Sequence, residues 1–141
     1  MAIEACGEPI TLDVAAADWN QKCQRYFTEE IDGLKQRWNA RAVWCNAPFS
    51  ATILETFIRK AIGEKQGGTT TFCLVPRWNY PYYDLCEQHG RIHRICSPVS
   101  FRRKDGSTFA MNNRYGTTEL NIVVIGPTIR PGFGVPIRNN D

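Results

Sequence analysis

The sequence predicts a single α/β domain built on a mostly parallel sheet, with a β-rich C-terminal part. Three observations carry that expectation. The runs RAVWC (Arg41–Cys45) and TTTFCLVP (Thr69–Pro76) are short and apolar, as buried strands are. Between them Ile53, Leu54, Phe57, Ile58, Ala61 and Ile62 recur at helical spacing and form one broad apolar stripe. After residue 90 the strand-like runs RIHRI, PVSFR and LNIVVIG follow one another. Strands alternating with helices favour a parallel sheet with helical crossovers.

Each element can be justified in order. ITLDVAA (Ile10–Ala16) reads as a short strand ending in small residues. Asp18 can cap a helix running to Phe27. FTEEIDGLKQRW (Phe27–Trp38) is a polar connection with a turn at Asp32-Gly33. RAVWC is the next strand. The helix is expected over 52–65, with Thr52 and Glu55 at capping-box spacing and Gly67-Gly68 as its stop. Residues 71–75 then form a central strand, and Pro81–Gln88 a short helix. RIHRI and PVSFR follow as strands. Lys104–Gly116 is polar and rich in Gly and Asn, so it is expected as a mobile loop. Residues 120–125 give a second central strand. The segment from Pro127 has no periodicity, which divides the chain into a domain over 1–126 and an irregular tail over 127–141.

Composition bounds the function. With 141 residues, 43% of them apolar and 22% charged, the chain is an ordinary globular domain with no repeat. Its net charge of +3 permits a polyanionic partner without demanding one. No apolar run has membrane-spanning length, and the start MAIEACGEPITLD is unlike a secretory signal, so a cytoplasmic location is expected. Of the six cysteines, Cys45 and Cys73 sit inside strand-like runs and read as buried reduced thiols. Cys86, His89, His93 and Cys96 have zinc-binding residue types, but their spacing is unusual and Ile92 and Ile95 suggest a strand, so no metal is assigned. Arg91, Arg94, Arg102, Arg103 and Lys104 lie in a stretch without an acid. It is either a solvated face or an edge that contacts nucleic-acid phosphates.

In parallel α/β sheets ligands sit beyond the carboxyl ends of the strands, here Asp13–Ala17, Asn46–Phe49 and Pro76–Tyr83. Within VWCNAPFS, Pro48 keeps residue 47 out of helical geometry and leaves the Ala47 carbonyl free. Asn46 adds a side-chain carbonyl, so two acceptors in one corner can take both hydrogens of an exocyclic amine. Phe49 supplies a flat face on which a heteroaromatic ring can stack. The plain alternative is a strand-to-helix turn punctuated by proline. Trp78, Tyr80, Tyr82 and Tyr83 either line a pocket or pack in the core.

Three blocks in order, LDVAAADWNQKC (Leu12–Cys23), FTEEIDGLKQRW and VWCNAPFS, resemble the phage-type Dam family of DNA N6-adenine methyltransferases. TFCLVPRW and NIVVI fit the same continuing sheet. The resemblance implies a Rossmann-like methyltransferase sheet that uses S-adenosylmethionine and acts on an adenine flipped out of DNA. Asn46 and the carbonyl of Ala47 would hold the amine, with Pro48 stiffening the corner and Phe49 stacking on the base. Asp13, Ala15 and Asp32 would lie near the cofactor. Arg91, Arg94, Arg102, Arg103 and Lys104 would face DNA. Ala47 stands where the family has a first proline, and the family's Thr-Pro element ahead of the first strand has no counterpart before Leu12. The expectation is therefore a shortened member. Its other reading is a methyltransferase-like protein without turnover that binds DNA or a host defence component of restriction or CRISPR type, alone or as an oligomer.

Overall fold

The computed structural model describes residues 9–96, 99–110, 112–113 and 116–137. Cys6, Ser97-Pro98 and the residues before Pro9, on which parts of the expectations above fall, lie outside them. In chain order the elements are β1 (Leu12–Asp13), β2 (Arg25–Tyr26), β3 (Ala42–Cys45), α1 (Ala51–Glu64), β4 (Thr70–Pro76), α2 (Pro81–His89) and β5 (Arg91–Arg94). Then follow β6 (Ser100–Arg102), β7 (Thr108–Ala110), β8 (Asn112–Asn113), β9 (Gly116–Thr117), β10 (Leu120–Ile125) and β11 (Gly132–Phe133). Seven strands form one sheet in the order β11-β5-β10-β4-β3-β1-β2. β2, β1, β3 and β4 pair in parallel, as do β5 and β11, while β10 runs antiparallel between β4 and β5. The α/β class and the mostly parallel sheet are as the sequence predicts.

Both helices cover one face. Leu54, Phe57, Ile58 and Ala61 of α1 meet Tyr82, Tyr83 and Cys86 of α2 over Val43, Cys45, Cys73, Val75, Val123 and Ile92. Full burial of such side chains stabilises by about 1.5–3 kcal/mol each. The opposite face centres on Trp44, Phe72, Leu74, Ile122 and Val124, with Ile10, Phe101, Ile129 and Ile137 packed against it. Asn121 Nδ2 donates to the Tyr83 hydroxyl (2.8 Å), and the Tyr82 hydroxyl donates to the Pro76 carbonyl, tying α2 to the sheet. Tyr82 and Tyr83 are therefore core residues. Cys45, Cys73 and Cys86 are buried free thiols. The hydrogen bond with Cys45, together with burial, holds Cys73 well above the usual thiol range, and burial pushes Cys86 up to about 12.

Four local expectations are corrected. The helix from Asp18 to Phe27 is absent, and the stretch is a turn followed by β2. Asp18 does not cap; its carboxylate accepts from the Tyr26 hydroxyl (2.7 Å). Asn20 Oδ1 accepts from the Ala17 N–H (2.7 Å), and such local side-chain bonds compete with helix formation. The Thr52–Glu55 capping box does not form either. α1 starts one residue earlier, with extended Ser50 as N-cap, and Glu55 instead pairs with Arg59 (3.4 Å). The Lys104–Gly116 loop contains strands. Asp105 accepts from the Ser107 N–H and hydroxyl (2.8 and 2.6 Å), and Gly106 takes φ 91°, which closes a β6–β7 hairpin. β8 and β9 pair antiparallel as a second two-stranded sheet. Finally, β11, in the segment that lacks periodicity, pairs with β5, and Gly134 N donates to the Ile92 carbonyl (2.6 Å).

Candidate functional site

At the carboxyl edge of β1, β2 and β3 lies a cavity of about 890 Å³. It is walled by Val14–Ala17 and Asn20 after β1, by Thr28, Glu29 and Asp32–Leu34 after β2, and by Asn46–Phe49 after β3. Ile53 and Phe57 of α1 and Phe101 of β6 complete the wall. The strand-end rule thus places two of its three sequence segments in one cavity; Pro76–Tyr83 lies outside it.

Asn46 and Ala47, in the corner after β3, both line the cavity. Ala47 is buried and Pro48 exposed, and the Pro48 carbonyl accepts from the Ser50 N–H (2.8 Å). Neither the Asn46 side chain nor the Ala47 carbonyl has a hydrogen-bond partner among the described residues. Phe49 is half-buried. Its ring stands edge-to-face with Trp78 (6.2 Å, 80°) and Phe101 (5.9 Å, 88°), and Trp78 meets exposed Tyr80 in the same way (6.3 Å).

The second wall is built by packing. Trp38 is fully buried, and its indole N–H donates to the Gly33 carbonyl (2.9 Å). Arg25 donates to the carbonyls of Trp38 (3.1 Å) and Asn39 (3.0 Å), and Lys60 sits over the indole at 5.7 Å. A Cβ on Gly33 would lie 2.3 Å from the Val14 carbonyl oxygen, so only glycine lets this turn close on the end of β1. That approach brings Asp32 to the cavity, in left-handed geometry (φ 62°), with its Oδ1 accepting from the Leu34 N–H (3.1 Å).

Ala15 lines the cavity; Asp13 does not. The Asp13 carboxylate is buried and accepts from the N–H groups of Ala15 (3.3 Å) and Lys22 (3.0 Å), so it shapes the loop after β1. Burial raises its pKa, and those two bonds partly offset the rise. The Ala16 N–H donates to the Phe27 carbonyl (2.9 Å) and the Ala17 N–H to Asn20. The N–H groups of Ala15, Ala16 and Ala17 are thus occupied and form no nest for a phosphate. Among the described residues no Lys or Arg lines the cavity, while Glu29 and Asp32 do. The lining therefore suits a phosphate-free ligand with apolar surface and positive charge. Sequence reasoning missed Glu29, Thr28, Asn20 and Phe101. Thr28 and Glu29 lie in the FTEEIDGLKQRW block, which was the usable signal for those two.

The basic run is divided. Arg102 Nη2 donates to the Trp19 carbonyl (2.6 Å), Arg103 Nη1 donates to the Ser107 hydroxyl (3.4 Å), and Lys104 lies exposed in the same turn. Arg94 is exposed at the carboxyl end of β5. Arg91 is at the other end of that strand, where its Nε donates to the Arg130 carbonyl (3.3 Å). Cys86 is in the core, His93 Nδ1 is 3.1 Å from the Val135 carbonyl, and no three His, Cys, Asp or Glu side chains among the described residues could hold a metal ion. No helix among them is long and apolar enough to cross a membrane.

Comparison with known proteins bears on this arrangement. Residues 1–101 match the family model described as DNA N-6-adenine-methyltransferase (Dam). Over 69 residues the chain is 32% identical to the DNA N-6-adenine-methyltransferase of Escherichia phage T1, an overlap covering 48% of this chain and 28% of that protein. The chain therefore corresponds to much less than two thirds of that relative. The match takes in the β1 loop, the Asp32 turn and the Asn46 corner on a single α/β sheet, and the chain belongs to the Dam family of DNA N-6-adenine-methyltransferases.

Proposed function

We propose that this chain transfers a methyl group from S-adenosylmethionine to the exocyclic amine of adenine in DNA. The observation that carries the reading is the pair of unpartnered acceptors at Asn46 and Ala47, opening on a cavity that has acids and no cation among its described lining residues. Glu29 and Asp32 are suited to the ribose hydroxyls and to the positive charge of the donor, and Ala15, Ile53 and Phe57 to its apolar surfaces. Bound there, S-adenosylmethionine supplies an electrophilic methyl group. The Asn46 side-chain carbonyl and the Ala47 carbonyl accept the two amine hydrogens and aim the nitrogen lone pair, while Phe49 bears on the base. The amine nitrogen held by the Asn46 and Ala47 carbonyls would take that methyl group and give up one proton to solvent. Positioning is the main device, because the approach must be in line. Incubation with labelled S-adenosylmethionine and unmethylated DNA should label the adenine, and no incorporation overturns the reading. Phe49→Ala should weaken base capture by about 1–3 kcal/mol, measured as duplex affinity in the presence of cofactor product.

We further propose that DNA lies along the edge carrying Arg94, Arg103 and Lys104. Replacing all three by Ala should reduce the slope of log affinity against log salt by about 0.9 for each phosphate that is no longer neutralised. An unchanged slope makes this a solvated face. The second reading, binding of DNA or a host defence component without turnover, draws on Ala47, which leaves the corner less stiff than proline would. Calorimetric titration with S-adenosylmethionine separates the two, since only the enzyme needs to bind it.

A further inference from the structure

The β6–β7 hairpin pairs only with itself among the described residues: Ser100 with Ala110, Phe101 with Phe109 and Arg102 with Thr108. Two side chains attach it to the cavity. Phe101 forms part of the wall and stands edge-to-face on Phe49. Arg102 reaches across 83 residues of sequence to donate to the Trp19 carbonyl at 2.6 Å, a short charge-assisted bond. Trp19 belongs to the same loop as Val14–Ala17 and Asn20, which form the first wall. One guanidinium therefore joins two of the segments that enclose the cavity, while Arg103 and Lys104 occupy the turn at the hairpin's far end.

We propose that Arg102 is a positioning residue, a latch that holds the β6–β7 hairpin against the β1–β2 loop and so closes one side of the cavity, with DNA phosphates left to its neighbours. The proposal deepens the reading of the cavity as the cofactor site and rests on that reading for the identity of what is enclosed. A ligand inside leaves more slowly while the latch is made. Once it is broken, the hairpin keeps the packing of Phe101 and loses its tie to the β1–β2 loop. One residue thereby controls how long a bound molecule stays, without touching it.

The test uses the full chain with Arg102→Ala and Arg102→Lys. In the ligand-free protein, amide hydrogen exchange of residues 100–103 and 107–110 should rise about tenfold in Arg102→Ala, the order expected for one hydrogen bond to a charged group. β3, β4 and β10 should keep their protection, and Arg102→Lys, which retains a donor, should recover part of the hairpin's. Dissociation of S-adenosylmethionine should be about tenfold faster in Arg102→Ala, with the salt slope of duplex binding unchanged. Unchanged hairpin exchange overturns the latch. So does a flattened salt slope with unaltered cofactor dissociation, which makes Arg102 a phosphate contact. If the native protein binds no S-adenosylmethionine while the exchange result holds, the cofactor reading fails and the latch stands.

Discussion

Asn46→Ala is expected to slow methyl transfer to unmethylated DNA by about 10²–10³, the effect of losing one preorganised hydrogen bond worth about 2.7–4 kcal/mol. The side chain projects from the end of a four-residue buried strand, and its carbonyl has no partner among the described residues to replace. Removing it therefore subtracts an interaction with the reacting amine and leaves the fold intact. Cofactor affinity should change little, because Glu29 and Asp32 sit on a different wall. Ala47→Pro is the companion variant. It keeps the carbonyl, stiffens the corner and should stabilise by about 0.4–1 kcal/mol through the unfolded chain, with activity equal or higher. Single-turnover rates with labelled cofactor measure both. An Asn46→Ala protein as fast as the native one would reduce the corner to a turn.

Trp38→Ala should cost about 3–5 kcal/mol of stability, the usual penalty for deleting a fully buried large aromatic. Three interactions disappear together: the indole N–H on the Gly33 carbonyl, the ring under Lys60 and the packing behind Leu34. Because the Gly33 turn is held against the end of β1 from this side, the damage reaches Asp32 and with it the second wall. Urea unfolding should show a lower midpoint with an unchanged slope. Trp38→Phe isolates the polar part. It leaves the Gly33 carbonyl with only the longer bond from the Gln36 N–H (3.4 Å), for about 0.5–1.5 kcal/mol, while most of the packing survives. Equal midpoints for native and Trp38→Ala proteins would show that the indole contributes nothing to holding the turn.

What could be read in advance followed from local physics. Of the six-residue stripe, Leu54, Phe57, Ile58 and Ala61 face the sheet and Ile62 packs beside them, while Ile53 is exposed at the cavity; the apolar runs at 71–75 and 120–125 became the two central strands. The strand-end rule singled out the segments of Ala15 and the Asn46 corner, which both border the cavity, whereas Asp32 came from the family resemblance and Pro76–Tyr83 lies elsewhere. The rest depends on bonds that no local pattern encodes. Residues 14–24 are shaped by the Asp13 carboxylate on Lys22, by Arg25 on Trp38 and by Arg102 from the distant hairpin. Reading Asp18 as an N-cap put a helix there. Arg102 looked like its basic neighbours because charge says nothing about which carbonyl a guanidinium finds.

The placement of β10 has a consequence for how the molecule is made. This late strand lies between β4 and β5, which were synthesised long before it. Until it arrives, both have an open edge, and residues Thr71–Pro76 are all buried in the finished protein. An unpaired, uncharged edge of this kind recruits strands from other chains. The missing pairing is also non-local, which makes its closure the slow event in assembly. Deletions ending before Leu120 should therefore come out of the cell as aggregates, and a chaperone that shields β4 would raise the yield of the full chain more than any substitution on its surface.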